Sequence, residues 1–196
     1  MSDSDLRVVT AILTVVFIAW IGGYAIYSSR RYKMKAVAVS PRQATLTQQG
    51  LIITAVLLDG YLIARAFLPE LDRWVMAASS PSPILALMLM VAGFLLVVAT
   101  HLHMGASWRI GVPKDDNNID ALITTGTHQL SRNPIYLGIM LMLVGMVIAA
   151  PGPITVVGLL LTFFGLQSII AEEEAYLERC FGGEYLDYKT RVRRWV

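Results

Sequence analysis

Two apolar runs, residues 8–27 and 84–102, contain no Asp, Glu, Lys or Arg. Each is about as long as the roughly 20 residues that a helix needs to cross a bilayer. A third run, residues 51–68, is nearly as long but includes Asp59 and Arg65. Two more, residues 136–150 and 154–171, are separated only by Pro151-Gly152-Pro153, which reads as the turn of a helical hairpin. The first of that pair is short, so the hairpin reads either as two full spans or as a shallower re-entrant pair. In both cases its two ends lie on one side. With 56% hydrophobic and 15% charged residues, the expectation is an all-α polytopic integral membrane protein. It should have about five transmembrane helices, the last two forming a tight hairpin with a cytoplasmic cap.

Charge sets the expected orientation. Arg30, Arg31, Lys33, Lys35 and Arg42 follow the first run; Arg109, Lys114 and Arg132 lie in residues 103–134; Arg179, Lys189, Arg191, Arg193 and Arg194 fill the tail. The loop between the second and third runs has only Arg73, beside Glu70 and Asp72. The positive-inside rule then puts the N-terminus outside and the C-terminus in the cytoplasm, in an inner or plasma membrane. The start, Ser-Asp-Ser-Asp with Arg7 its only base, reads as the lead of a retained helix rather than a cleaved signal. A net charge of +2 gives no reason to expect nucleic-acid binding. One cysteine, Cys180, and three histidines make neither an internal disulfide nor a metal centre.

The chemistry gathers around the hairpin. Before it stands Ser131-Arg-Asn-Pro-Ile-Tyr-Leu-Gly138; after it come Glu172-Glu173-Glu174 and Phe181-Gly-Gly-Glu-Tyr-Leu-Asp-Tyr188. The hairpin brings both flanks to one face. Acids at a membrane boundary are costly and commonly functional. Successive helical positions point about 100° apart, so the three acids cannot share one target. Glu173 is expected to face the pocket, with Glu172 or Glu174 solvated or paired to Arg179. Asn133 and Pro134 have the chemistry of a helix N-cap and first helical residue. Arg132 reads either as a ligand for an anion or as a snorkelling interface residue. Residues 185–194 read as an amphipathic helix packed through Tyr185, Tyr188 and Val192. Asp59 and Arg65 read as structural or as partners of another span, and His101 and His103 as interfacial. No Gly-rich turn after a strand is present.

These motifs resemble the isoprenylcysteine carboxyl methyltransferase family and its wider group, which includes phospholipid N-methyltransferases. The pattern of that family is Arg-His-Pro-x-Tyr-x-Gly, an apolar hairpin, a Glu-Glu cluster, then Phe-Gly-x-Glu-Tyr-x-x-Tyr. Upstream, Leu122-Ile-Thr-Thr-Gly126 and Gly105-Ala-Ser-Trp108 are similar to two further elements of it. The likeness runs from His103 onward and makes one domain of residues 1–196, with spans 1–3 in 1–102 and the cofactor-binding half in 103–196. It implies S-adenosyl-L-methionine as cofactor and a lipophilic small molecule or lipid as acceptor. It also implies cofactor contacts from Ala121, Leu122, Ile123, His128, Asn133, Pro134, Ile135, Tyr136 and Glu173, with Arg132 and Glu173 as the catalytic pair. His128 stands where the family usually has Tyr, and Asn133 where it usually has His. In prenylcysteine enzymes an Arg just before the acidic cluster is expected to bind a carboxylate, whereas residues 167–171 here contain no base. The acceptor thus stays open between a prenylcysteine-like carboxylate, a phospholipid amine and a small lipophilic thiol. A non-catalytic membrane scaffold or transporter subunit is the reading from another class.

Overall fold

The computed structural model describes residues 1–32, 44–108 and 121–196. Within them the chain forms α1 (Asp3–Tyr32), α2 (Leu46–Phe67), α3 (Leu71–Trp74), α4 (Pro83–Met104), α5 (Pro134–Ala149), α6 (Pro153–Phe181) and α7 (Gly183–Arg191). Single 3-10 turns occur at Gly105–Ser107 and Gly126–Gln129, and no strand is present among the described residues. Lys33, Lys35, Arg42, Arg109 and Lys114, which the orientation argument used, lie outside the described residues.

The expected all-helical membrane architecture stands. Four helices are long and apolar enough to cross a membrane: α1, α2, α4 with the 3-10 turn that extends it, and α6. The fifth apolar element, α5, is shorter. Its 16 residues span roughly 24 Å, against about 30 Å of hydrocarbon. Their outward faces carry large apolar side chains that no protein covers, for example Ile52, Ile53, Val56 and Leu57 on α2. In water such a face would be unstable; against lipid chains it is the favourable one.

Sequence punctuation sets the helix ends. Thr45 and Gln48 form a reciprocal capping box at the start of α2, with Gln48 N donating to Thr45 Oγ1 at 3.2 Å and Thr45 N to Gln48 Oε1 at 3.0 Å. α4, α5 and α6 each open on a proline, where the missing N–H costs nothing. Gly182 divides α6 from α7 at φ 51°, ψ −120°, a conformation reserved for glycine.

Small residues let the helices approach. A Cβ on Gly138 would lie 2.7 Å from Gly93 O and 2.7 Å from Val97 Cγ2. One on Gly145 would lie 2.6 Å from Ala86 O. Membrane helices gain nothing from expelling water in the bilayer, so close packing through such glycines holds α4 against α5. α6 meets α2 the same way, with Gly158 against Leu58 and Gly165 against Leu51, so the two run antiparallel. Between them sits an apolar core of Leu58, Leu62, Met90, Leu143 and Met146.

The two ends of the bundle are tied differently. At one end α1, α2 and α3 meet at Asp72, which accepts from Arg7 Nε at 2.9 Å, Arg65 Nη2 at 2.9 Å and Tyr61 OH at 2.7 Å. Burial alone would raise the Asp72 pKa; the Arg65 and Tyr61 hydrogen bonds and the Arg7 charge hold it below the ordinary value. Arg65 therefore has its partner on α3, while Asp59, six positions away, has none among the described residues. The α5–α6 turn is pinned here too, by Ala78 N donating to Pro151 O at 2.7 Å. The far end holds the candidate site.

Candidate functional site

α6 continues past the apolar run to Phe181 without a break. Glu173, its twenty-first residue, stands roughly 30 Å from the helix start, about the thickness of a hydrocarbon layer. The hairpin returns this level to the start of α5. There Tyr136 OH donates to Glu173 Oε1 at 2.5 Å, and Arg132 Nη2 donates to Glu174 Oε1 at 2.8 Å. Two flanks separated by some forty residues are thus joined through Tyr136 in the first turn of α5 and Arg132 just ahead of it.

Neighbouring acids have opposite fates. Glu174 is buried and gripped by two guanidinium groups: Arg132, and Arg194 through Nε at 3.1 Å and Nη2 at 2.7 Å. Arg194 is correspondingly held above the usual arginine range by that carboxylate. Glu173 is half-buried, and Tyr136 is its one hydrogen-bond partner among the described residues, with no cation. Glu172 is exposed. The helical phase that turned one acid inward turned a second one in as well, and the pairing expected with Arg179 does not form. Arg179 instead lies over the Tyr176 ring, 5.9 Å from its centroid, a cation–π distance.

Arg132 is built into the fold rather than snorkelling to the surface. Its Nη1 donates to Lys189 O at 3.1 Å and Val192 O at 2.8 Å, the carbonyls at the end of α7. A cation there meets the negative end of the helix dipole. Only Nε lacks a partner among the described residues. The residue ties α5, α6 and α7 together. Asn133 occupies the N-cap position of α5 but makes no side-chain cap bond; its Nδ2 donates to Arg194 O at 3.2 Å instead. Ser131 Oγ also donates to Arg194 O, at 2.9 Å, and Arg132 N to Arg193 O, at 2.9 Å. The last residues of the chain therefore close over the start of α5.

These groups surround a cavity of about 330 Å³, within the size range of small-molecule sites. All ten residues singled out in the sequence line it: Ala121, Leu122, Ile123, His128, Arg132, Asn133, Pro134, Ile135, Tyr136 and Glu173. The structure brings every one of them together. Sequence reasoning missed other wall residues: Ile21 from α1, His101 and Met104 from α4, Trp108, Leu177, and the pair Tyr185 and Tyr188. The signal for α1 was present as an aromatic stripe, Trp20, Tyr24 and Tyr27, at helical spacing.

That stripe explains His101. The residue is buried, not interfacial: Trp20 Nε1 donates to its Nδ1 at 3.1 Å, its ring stacks on Tyr24, and Tyr24 OH donates to its backbone carbonyl. Since Nδ1 accepts, a neutral His101 carries its proton on Nε2. His103 faces Thr125 Oγ1 at 3.0 Å. Residues 121–133 are further held by Thr100 Oγ1 to Thr127 Oγ1 at 3.1 Å and by Tyr188 OH to His128 O at 2.7 Å. Burial, with His103 beside it, pushes the His128 imidazole down to about 4, so it is neutral at pH 7. Burial, reinforced by the Glu174 carboxylate, pushes the Tyr185 phenol up to about 12.

Three buried polar atoms on this cavity wall have no partner among the described residues: His128 Nδ1, Arg132 Nε and Tyr185 OH. Buried polar groups are paired as a rule, so unpaired ones clustered on one cavity are places for a ligand's complementary atoms. With the Glu173 carboxylate they form a donor and acceptor set suited to a molecule carrying hydroxyls, an amino group and a carboxylate. Among the described residues no group of three or more His, Cys, Asp or Glu is placed to hold a metal ion.

Comparison with known proteins follows the same half of the chain. The family profile described as phospholipid methyltransferase matches residues 81–184, from the approach to α4 into α7. The chain belongs to this family. It is 30% identical over 135 residues to mouse protein-S-isoprenylcysteine O-methyltransferase, covering 67% of this chain and 45% of that protein. The human protein of that name is 28% identical over 153 residues, covering 75% of this chain and 51% of the relative. The chain thus spans about half the length of these mammalian relatives. Protein-S-isoprenylcysteine O-methyltransferase B of Arabidopsis thaliana is 24% identical over 200 residues, covering 97% of this chain and 93% of its own length.

Proposed function

We propose that the protein transfers a methyl group from S-adenosyl-L-methionine to a lipophilic acceptor at the cytoplasmic face of a membrane, with its N-terminus outside and its C-terminus in the cytoplasm. The observation that carries this reading is the half-buried Glu173 carboxylate, held by Tyr136 with no counter-cation among the described residues, on the wall of a cavity at the end of the apolar run of α6. An acid left this way is placed for a ligand that brings its own hydrogen-bond donors or positive charge.

When bound, S-adenosyl-L-methionine supplies a methyl group made electrophilic by a cationic sulfur. The protein's share is to hold, orient and dry the site. Glu173 accepts from the ribose hydroxyls or the ammonium of the donor, and the Tyr136 hydroxyl fixes the carboxylate's orientation. Arg132 Nε and Tyr185 OH can donate to the donor's carboxylate, and neutral His128 offers Nδ1 to the same ligand. Ala121, Leu122, Ile123, Asn133, Pro134 and Ile135 complete the wall. Holding two reactants in line can account for about 7–11 kcal/mol of barrier lowering in favourable cases, and a water-poor setting strengthens every polar contact within it.

The charges favour an acceptor other than a carboxylate. Arg132 is the only Lys or Arg on the cavity wall among the described residues, and Glu174 already neutralises it. Arg194 reaches Gln167 Oε1 at 3.2 Å but is held by Glu174 as well.

Calorimetric titration of the purified protein in nanodiscs with S-adenosylhomocysteine tests the reading. Saturable binding is expected, weakened at least tenfold by Glu173→Gln with the fold intact. Absence of heat from a folded wild type, or indifference to that substitution, overturns it.

A further inference from the structure

Asp59 is a charge-bearing residue in a membrane helix that no fold contact explains. It is half-buried on α2, with no hydrogen bond or ion pair among the described residues. Arg65, on the same helix, is spoken for by Asp72. An acid inside a spanning segment is costly enough that it is retained where a ligand or pathway uses it.

Asp59 lies on a second cavity, of about 200 Å³, lined by residues of α1, α2, α4, α5 and α6. Its other walls are almost wholly apolar, among them Phe17, Met142, Leu143 and Leu166, with Thr14 and Thr162 the only other polar side chains among the described residues. Thr14 Oγ1 is already satisfied by Thr10 O at 2.9 Å. One residue, Ile139, lines both this cavity and the candidate donor site. From Ile139 the second cavity follows α5 to Met146, roughly 10 Å deeper into the bundle. Level with its far end, α2 presents Asp59: Leu58, its neighbour, faces Gly158 near the start of α6.

We propose that this second cavity holds the acceptor and that Asp59 selects it. The acceptor is then a lipophile with a hydrogen-bond-donating group, an amine or a hydroxyl, about 10 Å from the end that meets the donor across Ile139. A carboxylate at that point would face the Asp59 carboxylate with no intervening cation, and a plain hydrocarbon would leave the acid unpaired. This assignment rests on the methyl-transfer reading for its account of the first cavity, but its binding chemistry can be measured without turnover.

The test uses the whole protein in nanodiscs with three probes of equal length: dodecylamine, dodecanol and dodecanoate. Saturation-transfer NMR with increasing probe reports specific occupancy. Wild type should bind the amine and the alcohol saturably and the carboxylate at least tenfold more weakly. Asp59→Leu should lose the preference for amine and alcohol, and Leu166→Trp, which fills the cavity, should lose all three. Asp59→Asn keeps the shape and an acceptor oxygen, so it should retain the alcohol and weaken the amine; it serves if Leu166→Trp does not fold. Equal binding of the three probes by wild type, no saturable binding of any, or unchanged selectivity in Asp59→Leu overturns the proposal. S-adenosylhomocysteine affinity, measured on the same samples, should stay within twofold in every variant. Its absence in wild type would sink the proposed function while leaving the Asp59 result readable.

Discussion

The two ends of this bundle carry nearly the same ionic device and use it differently. At one end Asp72 is held by Arg7, Arg65 and Tyr61; at the other Glu174 is held by Arg132 and Arg194. Each clasp draws together elements distant in sequence. Beside Asp72, however, no second carboxylate among the described residues is turned inward, whereas Glu173 follows the next helical phase into a cavity with a tyrosine for its partner. A paired acid reads as structure; an acid given only one neutral donor reads as a site. The difference lies in what surrounds each carboxylate, since the residue types are alike.

Breaking either clasp should have the largest effect. Asp72→Asn and Glu174→Gln each leave two buried or half-buried arginines short of an anion, and each should cost about 3–5 kcal/mol in denaturant unfolding in mixed micelles. Any folded Asp72→Asn should bind S-adenosylhomocysteine as wild type does. A change beyond twofold would mean that the far clasp shapes the site, and the contrast drawn here would fail.

The pH dependence sharpens the picture at the site end. His128 titrates near 6.5 when unfolded and is pushed down to about 4 in the fold, so the unfolded chain binds the proton more readily. Its contribution to stability is complete above about pH 6.5 and is lost as pH falls through about 4, an effect on the order of 3 kcal/mol. Melting temperature against pH should therefore be flatter over this window in His128→Asn than in wild type. Parallel curves would show that the imidazole is not buried neutral.

Helix approach gives the next effect. Gly138→Ala places a methyl group against Gly93 O and Val97, and overpacking of this kind costs about 1–3 kcal/mol. Because Gly138 lies two positions from Tyr136, the site end should loosen more than the Asp72 end by hydrogen exchange; equal loosening would show that the two ends are coupled. The smallest effect belongs to Tyr136→Phe, which removes one hydrogen bond and should cost about 1 kcal/mol of stability. Its loss of S-adenosylhomocysteine affinity should exceed that, since the Glu173 carboxylate is then unfixed. Equal losses would class Tyr136 as packing.

Much of this could be read from the chain. The span lengths, the Pro-Gly-Pro turn and the glycine break after Phe181 are local signals, and the hairpin alone brings Arg132 and Tyr136 to the level of the acids. What escaped was pairing. Glu174 takes Arg194 rather than Arg179, because α7 and the final residues fold back across the start of α5. His101 is buried because Trp20 and Tyr24 of α1, some eighty positions away, lean on it. Nothing in either local segment encodes those meetings.

The sequence by itself determined an all-helical membrane protein and its hairpin, because hydrophobic length and backbone punctuation act over a few residues at a time; the set of candidate site residues came from the family resemblance of its motifs. Only the tertiary structure decided which acid is neutralised and which is left for a ligand. That choice depends on where guanidinium groups from other helices come to rest, and a buried carboxylate's role is set by the charges within a few ångströms of it.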